Sequence, residues 1–195
     1  MRHNILTEPQ DFAALQLKHP LMNDKYQKTY RIQTARAAWH NYAGGIYFIT
    51  ICTKNHIHYF GEILDHEMKL SAIGNYAVQC WKSIPKHFPH VSTPLFVVMP
   101  NHIHGILIIE DPHQERATIA SKRPHNEYGI QSLNLASVIR GFKIGVTKYA
   151  RKAGLNFSWQ SRYYDHIIRN ADDLNRISSY IENNVGRWEM DKYNV

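Results

Sequence analysis

The sequence predicts a compact α+β sandwich in which helices cover an antiparallel sheet. Three observations lead there. A β-branched and aromatic run, IYFITICT at 46–53, is bounded by turn residues. Two further apolar runs, LFVVM at 95–99 and HIHGILII at 102–109, are joined by so short a Pro100-Asn101 connection that they should pair as a hairpin. Apolar stripes of helical period lie before and after that hairpin.

Taken in order, residues 1–44 are polar and weakly periodic, with Lys25, Lys28, Arg31 and Arg36 among Tyr26, Tyr30, Trp39 and Tyr42. They read as a basic-aromatic arm leading into a single domain over 45–190. The Gly44-Gly45 pair opens the first strand. From 73 to 88, Ile73, Tyr76, Ala77, Cys80, Trp81 and Ile84 mark one face of a helix that Pro85 should end or kink. Residues 111–131 follow the hairpin without any period, include Pro112, Pro124 and Gly129, and read as a long flexible loop. A second helix over 133–153 carries the stripe Leu135, Ile139, Phe142, Val146 and Tyr149. A third follows Asn170, a good N-cap, with Asp172 and Asp173 in its first turn and Leu174, Ile177 and Ile181 on its apolar side.

Composition narrows the function classes. Lys and Arg number 23 against 16 Asp and Glu, a formal charge of +7, which favours a polyanionic partner. The two cysteines, Cys52 and Cys80, form no CxxC, so neither a disulfide framework nor a structural zinc module is indicated, and a reducing cytoplasm is the expected compartment. No apolar run approaches the ~20 residues that cross a bilayer, so a soluble protein without a membrane partner is expected. The P-loop, GxSxG and HExxH patterns are missing, and only His90-Val91-Ser92 has the His-x-Ser/Thr form that a two-histidine phosphodiesterase needs twice.

His102-Ile103-His104 places two imidazoles on one face of a strand, a workable pair of metal ligands. With 13 histidines in 195 residues, about one His-x-His is expected by chance, and a second copy stands at His56-Ile57-His58. Context separates them. The later pair runs from a hairpin turn into an apolar strand and should be rigidly held, whereas the earlier one sits at a polar strand end. A strand-packing histidine is the plain alternative for either.

The second helix carries Arg140, Lys143, Lys148, Arg151 and Lys152, and residues 132–164, which include Arg162, contain no acid. A basic helix face is usually just solvated. An acid-free span of this length favours phosphate contact instead, which makes these six residues the candidate set for binding a nucleic-acid backbone. Tyr180 and Asn184 project from one side of the third helix, a turn apart. A lone helical tyrosine most often packs, but beside a metal and a phosphate its phenol becomes a nucleophile that can be displaced again.

Together these segments resemble the REP-associated tyrosine transposases of the HUH single-tyrosine, IS200-like superfamily. The matching text is YFITICT at 47–53, FGEI at 60–63, FVVMPNHIHGILII at 96–109, VIRGFK at 138–143, WQSRYYDHIIRN at 159–170 and YIENNVGRW at 180–188. It spans roughly residues 30 to 190, and Val185 stands where relatives usually have proline. The resemblance implies a ferredoxin-like α+β core with His102 and His104 as metal ligands, Asn184 as a third polar ligand and Tyr180 as the nucleophile. It also implies a divalent ion, Mg2+ or Mn2+, and a single-stranded DNA hairpin, the REP element, as partner. The expected chemistry is cleavage and rejoining through a 5′-phosphotyrosine, which exchanges one phosphodiester for another and needs no ATP. A monomer and a homodimer are both compatible with it. The competing classes are a hairpin-binding protein without catalysis and an RNA-processing endonuclease.

Overall fold

A computed structural model of the chain describes residues 25–26, 29–30, 44–110 and 134–194. The expected 111–131 loop, and all of the 1–44 arm except four residues and Gly44, lie outside the described residues. The chain divides into two units, residues 1–40 and 41–195. The first contains a two-residue antiparallel ladder between β1 (Lys25–Tyr26) and β2 (Thr29–Tyr30).

The second unit is built on four strands, β3 (Gly45–Cys52), β6 (Val91–Val98), β7 (His102–Ile109) and β8 (Tyr164–Ile168), all antiparallel in the order β6-β7-β3-β8. Helix α1 (Ala72–Lys82) and the short α2 (Ile84–His87) connect β3 to β6, and α3 (Leu135–Lys152) lies between β7 and β8 in the chain. Two interleaved β-α-β halves with this strand order make the ferredoxin-like α+β fold. A final helix, α4 (Ala171–Glu182), follows β8.

The period-2 alternation sorts the sheet's side chains into two cores. Tyr47, Ile49 and Ile51 of β3 and Ile103, Leu107 and Ile109 of β7 pack with Trp81 of α1 and Val138, Phe142 and Val146 of α3. Phe48, Ile106 and Ile168 turn the other way and pack with Ile177 and Ile181 of α4. Gly105 stands on the first face because a Cβ there would come within 2.3 Å of the Trp81 ring. The register sets Thr50 opposite His104 and Cys52 opposite His102.

Three details differ from the expected elements. The 73–88 helix breaks at Ser83 rather than at Pro85, which sits in the first turn of α2, where its missing N–H costs nothing. Strand β6 starts at Val91, and its register shifts between Ser92 and Leu95, around Pro94 on this edge strand. A hairpin of β4 (Gly61–Leu64) and β5 (Glu67–Leu70), for which the sequence carries no turn glycine, reverses through Asp65 and His66, both at positive φ. The Asn170 cap is as expected, its Oδ1 accepting from the Asp173 N–H, and α3 is capped in the same way by Asn134, whose Oδ1 accepts from the Ser137 N–H. No described helix is long and apolar enough to cross a membrane.

Candidate metal centre and tyrosine

Strand β7 delivers His102 and His104 to the face covered by α4, where they are 0% and 1% exposed. Each ring is held through Nδ1: His102 Nδ1 lies 2.8 Å from Asn101 Oδ1, and His104 Nδ1 lies 2.9 Å from Thr50 Oγ1. This leaves the two Nε2 atoms for the site, since a metal-ligating histidine is commonly oriented by the bond its other nitrogen makes. His104 Nε2 is 3.1 Å from the Tyr180 hydroxyl, whereas His102 Nε2 is buried without a hydrogen-bond partner. Burial, reinforced by Lys192, pushes the His104 imidazole down to about 3. Burial first, then the neighbouring His104, His56, Lys192 and His58, holds His102 well below its usual value. Both rings are therefore neutral at ordinary pH, the form that ligates a metal.

Tyr180 reaches the site from α4, its ring edge-on to His104 at 5.1 Å and to Phe48 at 6.1 Å. Asn184 follows one turn later, just past the helix end; it is 2% exposed, and its Oδ1 has no hydrogen-bond partner. Beyond it, the turn Val185–Met190, anchored by Trp188, brings in two residues that no sequence motif pointed to. Asp191 places Oδ2 3.9 Å from His102 Nε2, and Tyr193 sets its ring 4.6 Å from His102 and 6.0 Å from His104. With His102 neutral, the Asp191 approach is not an ion pair. One donor atom each from His102, His104 and Asp191 lies within 4.8 Å of the others, the metal-capable group found among the described residues. Two neutral imidazoles, a carboxylate and orphaned buried acceptors on His102 and Asn184 suit a divalent cation better than they suit an empty core.

The other histidine pair lies closer than its place in the chain suggested. His56 stacks on Tyr193 at 5.6 Å and His58 meets Trp188 edge-on at 5.6 Å, so both buttress the C-terminal segment and stand outside the three-residue donor group. Two other tyrosines of the acid-free span, Tyr163 and Tyr164, sit just before and at the start of β8, where Tyr164 pairs with Thr50 and packs edge-on to Phe48.

The basic residues divide. Arg140, Lys148, Arg151 and Lys152 are exposed on α3, and Arg162 is exposed at φ 66°. Lys143 instead turns inward: its Nζ donates to the carbonyls of Gln160 and Arg162 and lies 5.5 Å from the centre of the Trp159 ring. Trp159 Nε1 donates back to the Lys143 carbonyl at 3.1 Å. Burial lowers the amine to about 8. Lys143 therefore clasps the 159–162 segment to α3. The sheet itself lies between α3 and the histidine–tyrosine face.

The fold is that of the REP-associated tyrosine transposases, as the motifs implied. A solved structure of a REP-associated tyrosine transposase bound to a REP hairpin aligns with a TM-score of 0.54 at 20% identity, over 83% of this chain and 77% of that one. A second solved structure, from Deinococcus radiodurans, aligns at a TM-score of 0.42 and 12% identity over 77% of this chain and 97% of that one, too loosely to carry weight. No family model matches. The chain belongs to the family of an uncharacterized Haemophilus influenzae protein, with which it is 42% identical over 173 residues, 84% of this chain and 93% of that protein.

Proposed function

We propose that the chain is a metal-dependent single-strand DNA transposase or nuclease that binds REP-type hairpins and cleaves and rejoins DNA through a 5′-phosphotyrosine. The observation that carries this reading is the Tyr180 hydroxyl lying 3.1 Å from a buried, neutral His104 beside His102. His102, His104 and Asp191, with Asn184, would hold the cation, Mg2+ or Mn2+. When bound, it would supply Lewis-acid polarisation of a non-bridging phosphate oxygen. Tyr180 Oη attacks phosphorus, the bond to the 3′ oxygen breaks, and the proton lost by the phenol is balanced by the one gained at the new 3′-hydroxyl. The reverse attack rejoins the strand. Phe48 and His104 fix the phenol's approach, and the exposed cations of α3 supply phosphate contacts for the hairpin.

Incubation with labelled single-stranded hairpin DNA and Mn2+ should give a denaturation-resistant adduct in the wild type, Tyr163→Phe and Tyr164→Phe proteins and none in Tyr180→Phe. An adduct that survives Tyr180→Phe would remove the nucleophile assignment. One observation favours a second reading, a hairpin-binding protein without catalysis. Both histidines are sealed beneath Tyr193 and Asp191, so no phosphate reaches them until that segment moves. Hairpin binding with no adduct on any substrate would support it.

A further inference from the structure

We propose that Asn101 is a positioning residue whose carboxamide locks His102 in the Nδ1–H tautomer, leaving the Nε2 lone pair for the ligand group. This role rests on the reading of His102 as a metal ligand and deepens it. In sequence, Pro100-Asn101 is only the turn between two strands. In the fold, Asn101 is fully buried and joins three separate segments.

The orientation of the amide is fixed by its neighbours. Its Nδ2 donates to the His56 carbonyl at 3.1 Å and to the Tyr193 carbonyl at 2.6 Å. Both of those atoms can only accept, so the NH2 must face them, and a flipped amide would set oxygen against two oxygens. Oδ1 is thereby aimed at His102 Nδ1, 2.8 Å away. An amide oxygen cannot donate, so the bond exists only if His102 Nδ1 carries the hydrogen. In a neutral ring Nε2 is then bare, and this is the nitrogen that is buried without a hydrogen-bond partner, 3.9 Å from Asp191 Oδ2. The Asn101 backbone is pinned as well, because its carbonyl accepts from the Thr53 N–H at 2.8 Å and from the Thr53 hydroxyl at 3.0 Å. His104 has no such lock, because its Nδ1 faces the Thr50 hydroxyl, which can donate or accept. The two histidines thus differ: one has its tautomer imposed, and the other can adjust.

The test uses full-length, metal-free protein labelled with 15N-histidine. A long-range 1H–15N correlation spectrum, with His102 assigned by its disappearance in His102→Ala, should show a protonated Nδ1 and a bare Nε2. An Nε2–H tautomer at His102 would overturn the proposal without recourse to any Asn101 variant. Asn101→Ala should give a mixture of tautomers and weaken Mn2+ binding about 10-fold or more. Asn101→Asp keeps an acceptor against Nδ1 while losing both donors, so it should retain the wild-type tautomer. A wild-type tautomer in Asn101→Ala, or a mixture in Asn101→Asp equal to that in Asn101→Ala, overturns the positioning role. His102→Ala with unchanged Mn2+ affinity would fail the metal-centre reading instead, a result separable from the tautomer itself.

Discussion

The Tyr180 hydroxyl and His104 Nε2 share a hydrogen bond of 3.1 Å, and the nitrogen involved is the one a cation would need. Its lone pair cannot serve both. A cation bound there would therefore have to break the bond and release the phenol, so the proposed nucleophile and the proposed metal would compete for this nitrogen. Tyr180→Phe removes the competitor and keeps the ring. It should bind Mn2+ about 2- to 10-fold more tightly by calorimetry, the equivalent of one ordinary hydrogen bond, while forming no adduct. Weaker binding in that variant would make the phenol a support of the metal centre.

The exposed cations of α3 and the inward Lys143 should separate in a salt titration. Replacing Arg140, Lys148, Arg151 and Lys152 together with Ala should lower affinity for every hairpin alike and flatten the salt slope, by roughly 0.9 for each stem phosphate that is no longer neutralised. Lys143→Ala should instead lower stability in denaturant melts, because it leaves the carbonyls of Gln160 and Arg162 without their donor. An unchanged slope in the fourfold variant would remove α3 from the interface.

Lys143 also sets a pH dependence. Its amine titrates near 8 when folded against 10.5 as the unperturbed value, so between these values the unfolded chain holds more protons. Stability contributed by this group consequently rises with pH across that window. Cys52 acts in the opposite sense, because burial lifts its thiol from 9.0 to about 11; the Lys143 charge lowers that thiol, so replacing Lys143 pushes it higher still and leaves the sign of the comparison unchanged. Urea melts at pH 7.5 and 9.5 should therefore show wild type gaining on Lys143→Met. A constant difference would mean that the amine titrates normally.

Gly105 and Trp81 offer a packing test away from the chemistry. A methyl at position 105 meets the indole at 2.3 Å, so Gly105→Ala should cost about 1–3 kcal/mol of stability and shift the Trp81 fluorescence. A cost under about 0.5 kcal/mol would show that the ring moves aside freely.

Much of the site was legible because its residues obey local periods. His102 and His104 fall two apart on a strand, and Tyr180 and Asn184 four apart at a helix end, so one face of each element could be read directly. The α1–α2 break and the β4–β5 hairpin were harder. The first was displaced from its proline, and the second turns through Asp65 and His66, both at positive φ without a glycine to announce it. Asp191 and Tyr193 gave no periodic signal, since their position depends on the Val185–Met190 turn and the burial of Trp188. Lys143 looked like its neighbours because charge spacing cannot distinguish a solvated amine from one bound to the carbonyls of a segment further along the chain.

The placement of α3 and α4 on opposite faces of one sheet would make the molecule a ruler for the proposed substrate. On the proposed reading, a stem held by the α3 cations and a phosphate offered to Tyr180 would lie on different sides, and the unpaired strand between them would have to travel round the sheet. The way round is longer than the sheet layer alone, which is on the order of 10 Å, so a tail must be long enough to clear the sheet edge before a phosphate could reach Tyr180. Cleavage would then be gated by distance from the stem as much as by base identity, and hairpins with the right sequence but too short a tail would bind intact.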